Sequence, residues 1–408
     1  MTSVVRRLPH PADFAAPPSL ADLARWADAD RSARPDRLAR LRARFAGEGI
    51  DAYFGVRSEH MRYLTGFILD DGEDRVAGNS GRFLISGEET VVLADSRYRL
   101  QAAAQAPSAR IEAATYDLGA VWPELLRSVG AKRVGLEGFI SHEQWLMLQR
   151  AAPDVELVPV PGWLEADRAT KEPAEIERIK AACAVADRAL ASIVRRIKPG
   201  VTERELALAL EWEMRTGGAD ALAFGVACLA GSNAALPHGS PSDREVCCGQ
   251  VVLFDFGAMV AGYRSDMTRT LFVGEPTARD LGVYEIVAAA QAASIDLLAA
   301  SARGERPPAS GLEGDAAARR VIEAAGHAEH FGHGTGHGIG LATHELPSLN
   351  RTAAEDPLPS PTVFSVEPGI YVDNETGVRI EDLVLYDTGS RTLTRLTSFP
   401  RDVIVVGV

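Results

Sequence analysis

The segment His333–Glu345 constrains this chain more than any other, because it reads HGTGHGIGLATHE and sets three histidines among four glycines. Glycine lets the backbone approach a ligand closely and adopt conformations that other residues resist. Imidazole is both a metal ligand and a proton carrier near neutral pH. A surface loop would explain any single histidine here. Taken as a whole, the segment indicates a metal site, because carboxylates elsewhere in the chain complete a ligand set.

The composition is that of an ordinary globular protein. Of the 408 residues, 46% are hydrophobic and 24% are charged, and this length allows two domains with substantial cores. The net charge of −13 argues against a nucleic-acid partner, which would require a basic surface. The N-terminus lacks the apolar region of a signal peptide, and no run reaches the length of a membrane-spanning helix. We therefore expect no membrane association.

The cysteines, Cys183, Cys228 and the adjacent pair Cys247-Cys248, form no CxxC motif and no disulfide pattern. We expect them to be reduced and mostly buried, and we interpret the adjacent pair as structural. Reduced cysteines favour a cytoplasmic location.

The N-terminal third predicts an arm followed by an α/β domain. Residues 1–35 are rich in Pro, Ala and Asp and are interpreted as an arm around a short helix at Ser19–Ala27. A second helix is predicted over Pro35–Glu48. Strands and helices then alternate, with a hairpin at Arg82–Ala94. These patterns predict an α/β domain over residues 36–165.

The rest of the chain predicts an α+β domain over residues 166–408. Arg168–Pro173 marks the boundary, since proline suits the first turn of a helix. A long amphipathic helix is predicted over Ala174–Ile197, and Thr202–Glu205 has the pattern of a capping box for the next helix. Later strands are predicted at Ala223–Leu229, Val251–Phe256, Val363–Glu367 and Val378–Tyr386. This order favours helices packed on a curved antiparallel sheet.

Two aspartates stand on neighbouring predicted strands. Asp255 lies in an apolar strand, and Asp266 follows it after a turn. A hairpin would bring the two carboxylates side by side. Burying an unpaired charge is costly, so Asp255 needs a partner. An ion pair with Arg264 or Arg269 explains Asp255, taken alone, at least as well as a metal does.

Two glutamates occupy comparable positions. Glu367 ends a predicted buried strand, and Glu381 lies inside another, where strand alternation puts it on the same face as Arg379. A simple ion pair between Arg379 and Glu381 is the alternative here. Four acids at strand positions nevertheless need counter-charge, which two divalent cations would supply. Such an oxygen-rich set with one imidazole suits Mn²⁺, with Co²⁺ or Zn²⁺ as alternatives.

The order Asp, Asp, His, Glu, Glu resembles the proline-peptidase branch of the M24 metallopeptidases, which contains aminopeptidase P and prolidase. The segment His333–Glu345 is similar to the signature of that branch and departs from it at Thr343, where the family usually has Ile or Val. Tyr63–Phe67 and Asp95–Tyr98 resemble segments of the creatinase-type N-terminal domain. The resemblance covers most of residues 36–408. It implies a pita-bread catalytic domain preceded by a creatinase-type α/β domain.

The resemblance also implies a role for each candidate residue. Two metals would be bound by Asp255, Asp266, His337, Glu367 and Glu381. Asp266 and Glu381 would bridge the metals, and Glu367 would also be the general base. Catalytic histidines would be His238, His333 and His344, of which His333 and His344 would stabilise the oxyanion. Substrate would be bound by His238, His344 and Arg379.

The implied activity is cleavage of the bond between an N-terminal residue and a following proline in small peptides. We favour an Xaa-Pro aminopeptidase over an Xaa-Pro dipeptidase (prolidase). A dipeptidase needs a basic group for the free carboxylate of its substrate, and only Arg379 is an obvious candidate. A metal-dependent non-peptidase hydrolase or lyase of the same fold stays open, whereas the full ligand set disfavours a non-catalytic pita-bread binding module.

The resemblance further implies a homodimer, since the family commonly dimerises through its N-terminal domain. The polar loop Leu69–Ser80 is the candidate segment for lining the pocket of a partner subunit.

Overall fold

The computed structural model describes residues 4–5, 8–69, 78–114 and 117–407. The chain divides into two compact units. One unit, here called the N-terminal unit, is Ala24–Asp167. The other, here called the C-terminal unit, combines Met1–Leu23 with Arg168–Val408. The division at Arg168 coincides with the start of the predicted boundary segment, whereas the predicted arm is shared between both units. Most of the proposed partner loop Leu69–Ser80 lies outside the described residues.

The first half of the chain contains one mixed sheet flanked by helices. The elements up to the boundary are β1 (Val4–Val5), α1 (Leu20–Ala43), α2 (Phe45–Glu48), β2 (Ala52–Gly55), α3 (Ser58–Thr65), β3 (Phe83–Ser86), β4 (Thr90–Ala94), α4 (Arg99–Gln105), β5 (Arg110–Ala113), α5 (Leu118–Ser128), β6 (Arg133–Leu136), α6 (His142–Ala151), β7 (Glu156–Pro159) and α7 (Trp163–Ala169). Among the described residues the sheet order is β5-β4-β3-β2-β6-β7. The predicted hairpin is confirmed, because β3 and β4 pair antiparallel. Apolar side chains of the sheet pack against Trp122 and other residues of α5 and α6.

Helix α1 corrects the prediction of two separate helices around Pro35. It runs without interruption from Leu20 to Ala43, with Pro35 inside. An internal proline removes one backbone hydrogen bond and normally kinks or ends a helix. Side chains on both sides of Pro35, among them Trp26 and Leu41, are buried. Tertiary packing therefore overrides the local signal at Pro35.

The second half of the chain carries helices on one side and short strands in several sheets. Its elements are α8 (Pro173–Ile193), α9 (Glu203–Thr216), β8 (Ala221–Leu222), β9 (Ala227–Ala230), β10 (Val251–Phe256), β11 (Ala258–Val260), β12 (Tyr263–Arg264), β13 (Met267–Val273), α10 (Ala278–Ala302), α11 (Gly311–Ala324), β14 (Gly336–Gly338), β15 (Glu345–Leu349), β16 (Thr362–Val366), β17 (Gly369–Val372), β18 (Thr376–Arg379), β19 (Asp382–Asp387), β20 (Thr392–Arg395) and β21 (Val403–Val406). The larger sheets have the orders β1-β21-β13-β10-β9 and β15-β14-β16-β19-β20, and smaller ones are β12-β11-β8 and β17-β18. Most neighbouring strands are antiparallel, as the sequence predicts for this domain.

The helix starts follow their local signals. Pro173 occupies the first turn of α8. Thr202 and Glu205 form the predicted capping box of α9, in which each side chain accepts from the other residue's backbone N–H, at 3.2 and 2.8 Å. Caps of this kind satisfy backbone donors that a helix start leaves open.

Helix α10 corrects the expectation that no segment could cross a membrane. Its 25 residues are long and apolar enough to do so by length and composition alone. Its buried side chains, among them Val283, Val287 and Leu298, belong to two apolar clusters of the C-terminal unit. A helix that packs one side into the core of a globular unit can have this same length and composition.

Two predicted strands are broken. Ala223–Leu229 contains only the start of β9, and Val378–Tyr386 is divided between β18 and β19. The break leaves Glu381 between two strands rather than inside one, so Arg379 and Glu381 do not share a strand face. The expected burial of the cysteines is correct only for Cys183 and Cys228, since Cys247 and Cys248 are exposed.

Candidate metal centre

The five predicted ligands lie at strand ends or in short strands of the C-terminal unit. Asp255 is the second-last residue of β10 and lies opposite Thr268 of β13. Asp266 immediately precedes β13, and His337 is the central residue of β14. Glu367 follows β16, and Glu381 occupies the break between β18 and β19. In these positions the five side chains can converge on one point.

The convergence is visible in the distances between ligand atoms. Ligand atoms of Asp266, His337 and Glu381 all lie within 4.8 Å of one another, close enough to hold one metal ion. His337 Nε2 is 3.3 Å from Glu367 Oε1 and 3.7 Å from Asp266 Oδ2. Asp255 joins the same electrostatic cluster, because its charge acts on Asp266 and Glu381. The structure therefore brings together all five residues that the sequence pointed to.

The electrostatics of the cluster show a shortage of positive charge. Burial, reinforced by the neighbouring carboxylates, raises the pKa of Asp266 and of Glu381 well above their usual values. Burial also raises the pKa of Asp255. Glu367 differs, since burial, which raises its pKa, is outweighed by its hydrogen bond with His337 together with the positive charges nearby, so that its pKa falls to about 2. For His337, burial lowers the pKa, but the same bond and the charges of Glu367 and Glu381 together raise it to about 9.

Unpartnered oxygen atoms show that the cluster suits metal ions. Asp255 Oδ1 and Glu381 Oε1 are buried and have no hydrogen-bond partner among the described residues. A buried carboxylate oxygen without a partner is costly, and a divalent cation would remove that cost. The donor set of carboxylates and one imidazole is also the one that first-row divalent ions accept. The residues therefore fit the metals implied by the sequence.

Arg379 is the counter-ion of Asp255, which corrects the alternative pairing with Arg264 or Arg269. Its Nη2 donates to Asp255 Oδ2 at 2.5 Å. Its Nε donates to Thr268 Oγ1 at 2.9 Å, and that hydroxyl donates to Glu381 Oε2 at 2.7 Å. Arg379 thus orients two of the candidate ligands, one directly and one through Thr268. No direct Arg379–Glu381 ion pair is present in the described part of the chain.

His333 is held by a chain of hydrogen bonds that starts at Arg379. Its Nδ1 donates to the carbonyl of Gly334 at 2.8 Å, because a carbonyl can only accept. Its Nε2 then accepts from the Tyr371 hydroxyl at 2.8 Å, and Arg379 Nη1 donates to the same hydroxyl at 2.7 Å. Burial lowers the pKa of His333 and raises that of Tyr371 to about 12. These hydrogen bonds fix the ring in one tautomer, with the proton on Nδ1.

His344 and His238 border the cluster from outside. The ring of His344 lies 4.3 Å from the ring of His337, centroid to centroid. Burial, followed by the charge of His337, lowers the pKa of His344. His238 is exposed, and its charge contributes to the lowered pKa of both His333 and His344. The three predicted substrate histidines therefore face one region, beside the ligands.

The glycines of the His333–Glu345 segment serve close packing of strands. A β-carbon on Gly336 would lie 1.9 Å from the carbonyl oxygen of Ser365, and one on Gly338 would lie 2.1 Å from that of Leu346. From the sequence, we expect these glycines to let the backbone approach a ligand. The neighbours are instead the backbones of the adjoining strands, which places His337 at the junction of three strands.

Several supporting residues carried no clear signal in the sequence. Arg319 on α11 donates to the carbonyl of His333 at 2.8 Å and pairs with Asp315, which accepts from the backbone N–H of Thr335 at 3.0 Å. Tyr371 is an unremarkable strand tyrosine in the sequence. The i, i+4 spacing of Asp315 and Arg319 is equally typical of an exposed helical ion pair. Only the tertiary structure shows that they orient the histidine segment.

Glu345, the last residue of the segment, is an anchor rather than a ligand. It is buried in an ion pair with Arg168 and lies 2.9 Å from Lys171 Nζ. Its Oε1 also accepts from the backbone N–H of Ala342 at 2.7 Å. These positive charges outweigh burial and lower the pKa of Glu345 to about 2. At Thr343, where the sequence departs from the family pattern, the hydroxyl donates to the carbonyl of Ala223 at 3.1 Å. This is a second contact that holds the loop before Glu345.

Comparison with known proteins agrees with this architecture. Residues 177–388 match the model of metallopeptidase family M24, and residues 37–170 match the creatinase/prolidase N-terminal domain. The uncharacterized peptidase YqhT of Bacillus subtilis is 35% identical over 372 residues, which cover 91% of this chain and 100% of that protein. An Xaa-Pro dipeptidase of Pyrococcus horikoshii is 36% identical over 267 residues, 65% of this chain and 74% of the relative.

Solved structures show the same similarity. An Xaa-Pro dipeptidase from Bacillus anthracis has a TM-score of 0.81 at 32% identity and covers 91% of this chain and 100% of its own. An X-Pro aminopeptidase from Thermotoga maritima has a TM-score of 0.79 at 32% identity, with 90% and 99% covered. The fold and the carboxylate–imidazole cluster are those of a metal-dependent hydrolase with a pita-bread catalytic domain. The chain belongs to metallopeptidase family M24, which confirms the resemblance and the predicted fold.

Proposed function

We propose that this protein is a dinuclear-metal exopeptidase that releases the N-terminal residue from peptides with proline at the second position. The two ions, for which we favour Mn²⁺, would be held by the cluster of Asp255, Asp266, His337, Glu367 and Glu381. The observation that carries the proposal is the convergence of Asp266, His337 and Glu381, with Glu367 beside His337 and with two buried carboxylate oxygens lacking any partner among the described residues. When bound, two such ions activate a water molecule and polarise the carbonyl of the scissile bond.

The side chains around the cluster divide the remaining tasks. Glu367 takes the proton of the attacking water on a carboxylate oxygen and passes it to the leaving nitrogen of proline. Ser365 fixes that carboxylate by donating to Glu367 Oε1 at 3.1 Å. His344 stabilises the negative charge that develops on the carbonyl oxygen. His333, which the sequence predicts to share that task, has both ring nitrogens engaged with Gly334 and Tyr371 and has no N–H left to donate to the oxyanion. His238 completes the substrate-facing side.

The contacts of Arg379 support the aminopeptidase over the dipeptidase. A dipeptidase needs a positive group for the free carboxylate that follows proline. Arg379 is buried, and its three nitrogens already donate to Thr268, Tyr371 and Asp255. Its geometry suits orientation of ligands more than capture of a substrate carboxylate. The dipeptidase stays the second candidate, because several relatives carry the name Xaa-Pro dipeptidase.

A comparison of two substrates tests this choice. kcat/KM is measured on the Mn²⁺-loaded protein for Ala-Pro and for Ala-Pro-Ala-Ala. We expect the longer peptide to be preferred. A tenfold preference for the dipeptide, which corresponds to about 1.4 kcal/mol of transition-state stabilisation, would make the protein a prolidase.

We further propose that the protein is a cytoplasmic homodimer. The reduced state expected of its cysteines supports the location. Dimerisation is supported because proteins of this family commonly dimerise, and it is tested below.

A further inference from the structure

Arg269 is the best-satisfied buried arginine near the metal centre, and the proposed function assigns it no task. Its relative exposure is 1%. A guanidinium has five N–H groups. Its Nε donates to the carbonyl of Pro400 at 3.0 Å, and its Nη2 donates to the carbonyl of Phe399 and to Asp382 Oδ1, both at 2.7 Å. Its Nη1 donates to the carbonyl of Thr268 at 2.9 Å and to that of Glu381. All five donors are therefore used.

The strand register places this guanidinium behind the metal centre. Asp255 pairs with Thr268 and Phe254 pairs with Arg269 across β10 and β13. Side chains alternate between the faces of a sheet, so Arg269 points away from the face that carries Asp255 and Thr268. Arg269 is therefore not part of the ligand cluster. It reaches the cluster through the backbone carbonyls of Glu381 and Thr268.

The backbone of Glu381 needs such support because it lies in the break between β18 and β19. Its N–H donates to the carbonyl of Thr268 at 3.1 Å, and its own carbonyl accepts from Arg269. The Thr268 hydroxyl donates to Oε2 at 2.7 Å, whereas Oε1 has no partner in the described part of the chain. Glu381 is thus fixed at three points, and one carboxylate oxygen is left free toward the cluster.

Asp382 fixes Arg269 in turn. Besides the ion pair, its Oδ1 accepts from the Thr397 hydroxyl at 2.6 Å and its Oδ2 accepts from Gln291 Nε2 at 3.1 Å. The Asp382 side chain is fully buried. The guanidinium is consequently held in one position by a buried network rather than by packing alone.

We propose that Arg269 is a positioning residue of the metal centre, which holds the Glu381 backbone so that its free carboxylate oxygen faces the cations. This inference rests on the proposed function, because it assumes that Glu381 binds metal. Arginine is required because no other side chain supplies five donors in one plane. A lysine at this position would supply three donors and leave carbonyl groups unsatisfied.

The test is chelator competition on the full-length Mn²⁺-loaded protein, comparing wild type with Arg269→Lys. Loss of an outer residue that orients a ligand weakens metal binding by about 10- to 100-fold, and we expect a rise of that size in the Mn²⁺ dissociation constant. The matched control is Arg37→Lys, a buried arginine of the N-terminal unit that donates to the carbonyl of Tyr63 at 3.0 Å. It should lower the unfolding temperature and leave Mn²⁺ affinity unchanged.

A milder variant, Asp382→Asn, keeps an oxygen for Arg269 but removes the charge, and should weaken Mn²⁺ binding less than Arg269→Lys does. If Arg269→Lys does not fold, Asp382→Asn decides. The inference would be overturned if Arg269→Lys and Asp382→Asn fold, lose stability as Arg37→Lys does, and bind Mn²⁺ with the affinity of the wild type. Absence of Mn²⁺ binding by the wild type would instead overturn the proposed function.

Discussion

The proposed role of His344 in catalysis can be distinguished from metal binding by experiment. Its ring is tilted against that of His337, with 4.3 Å between the centroids. Removing one group that stabilises an oxyanion costs about 100- to 1,000-fold in kcat. We therefore expect His344→Ala to lose activity by about this factor while it retains its Mn²⁺, measured by metal analysis beside the kinetic assay. Simultaneous loss of metal would reassign His344 as a ligand.

Glu345 provides a pH-dependent prediction. Its pKa in the folded protein is about 2, against 4.5 for the ordinary group, because of Arg168 and Lys171. A lowered pKa stabilises the folded state above about pH 4.5, and this contribution declines as the pH falls toward 2. The shift corresponds to about 3 kcal/mol at neutral pH.

The measurement is the free energy of unfolding by urea between pH 7 and pH 3.5, for wild type and Glu345→Gln. The difference between the two proteins should shrink as the pH falls. A difference that stays constant over this range would contradict the assigned pKa and its cause.

At the residue scale, the sequence points to the right chemistry but not to its support. The Asp, His and Glu residues of the cluster are recognisable because acids are rare on apolar strands. Tyr371, Arg319 and Thr268 are not, because each is compatible with an ordinary strand or helix position. Their roles depend on contacts between segments far apart in the chain, such as Thr268 with Glu381.

At the scale of elements, the close packing of the β14 glycines can be tested by substitution. Gly336→Ala would place a β-carbon 1.9 Å from a carbonyl oxygen of β16, so β14 would have to move and His337 with it. We expect this variant to lose both stability and Mn²⁺ affinity. The matched control is Gly282→Ala in α10, where no described atom lies within 4 Å of the new β-carbon. Alanine should stabilise that helix by up to about 1 kcal/mol.

Stability is measured by thermal unfolding and affinity by chelator competition on both variants. If the two variants had the same unfolding temperature and the same Mn²⁺ affinity, the close packing of β14 would not be needed to hold the metal centre.

Element prediction succeeded where local signals and packing agree. The β3–β4 hairpin and the capped start of α9 follow from turn and cap residues. It failed where long-range contacts decide, as at Pro35 inside α1. The break at Glu381 could not be predicted either, because it is stabilised by Thr268 and Arg269 from another strand rather than by residues near it.

At the scale of the whole molecule, the proposed homodimer is tested by light scattering. Multi-angle detection after gel filtration should give twice the mass of the 408-residue chain, since metallopeptidases of this kind commonly associate. A concentration series is the control, because a weak dimer would dissociate on dilution. A single-chain mass at every concentration would contradict the proposal.

The five-residue cluster is proposed to be a two-metal centre that cleaves the bond before proline. The most direct test titrates Mn²⁺ into metal-depleted protein while the release of alanine from Ala-Pro-Ala-Ala is followed, with Ala-Ala-Ala-Ala as the matched peptide. We predict that activity rises until about two Mn²⁺ are bound per chain and that only the proline peptide is cleaved efficiently. Cleavage that persists without metal, or that ignores proline, would contradict the account.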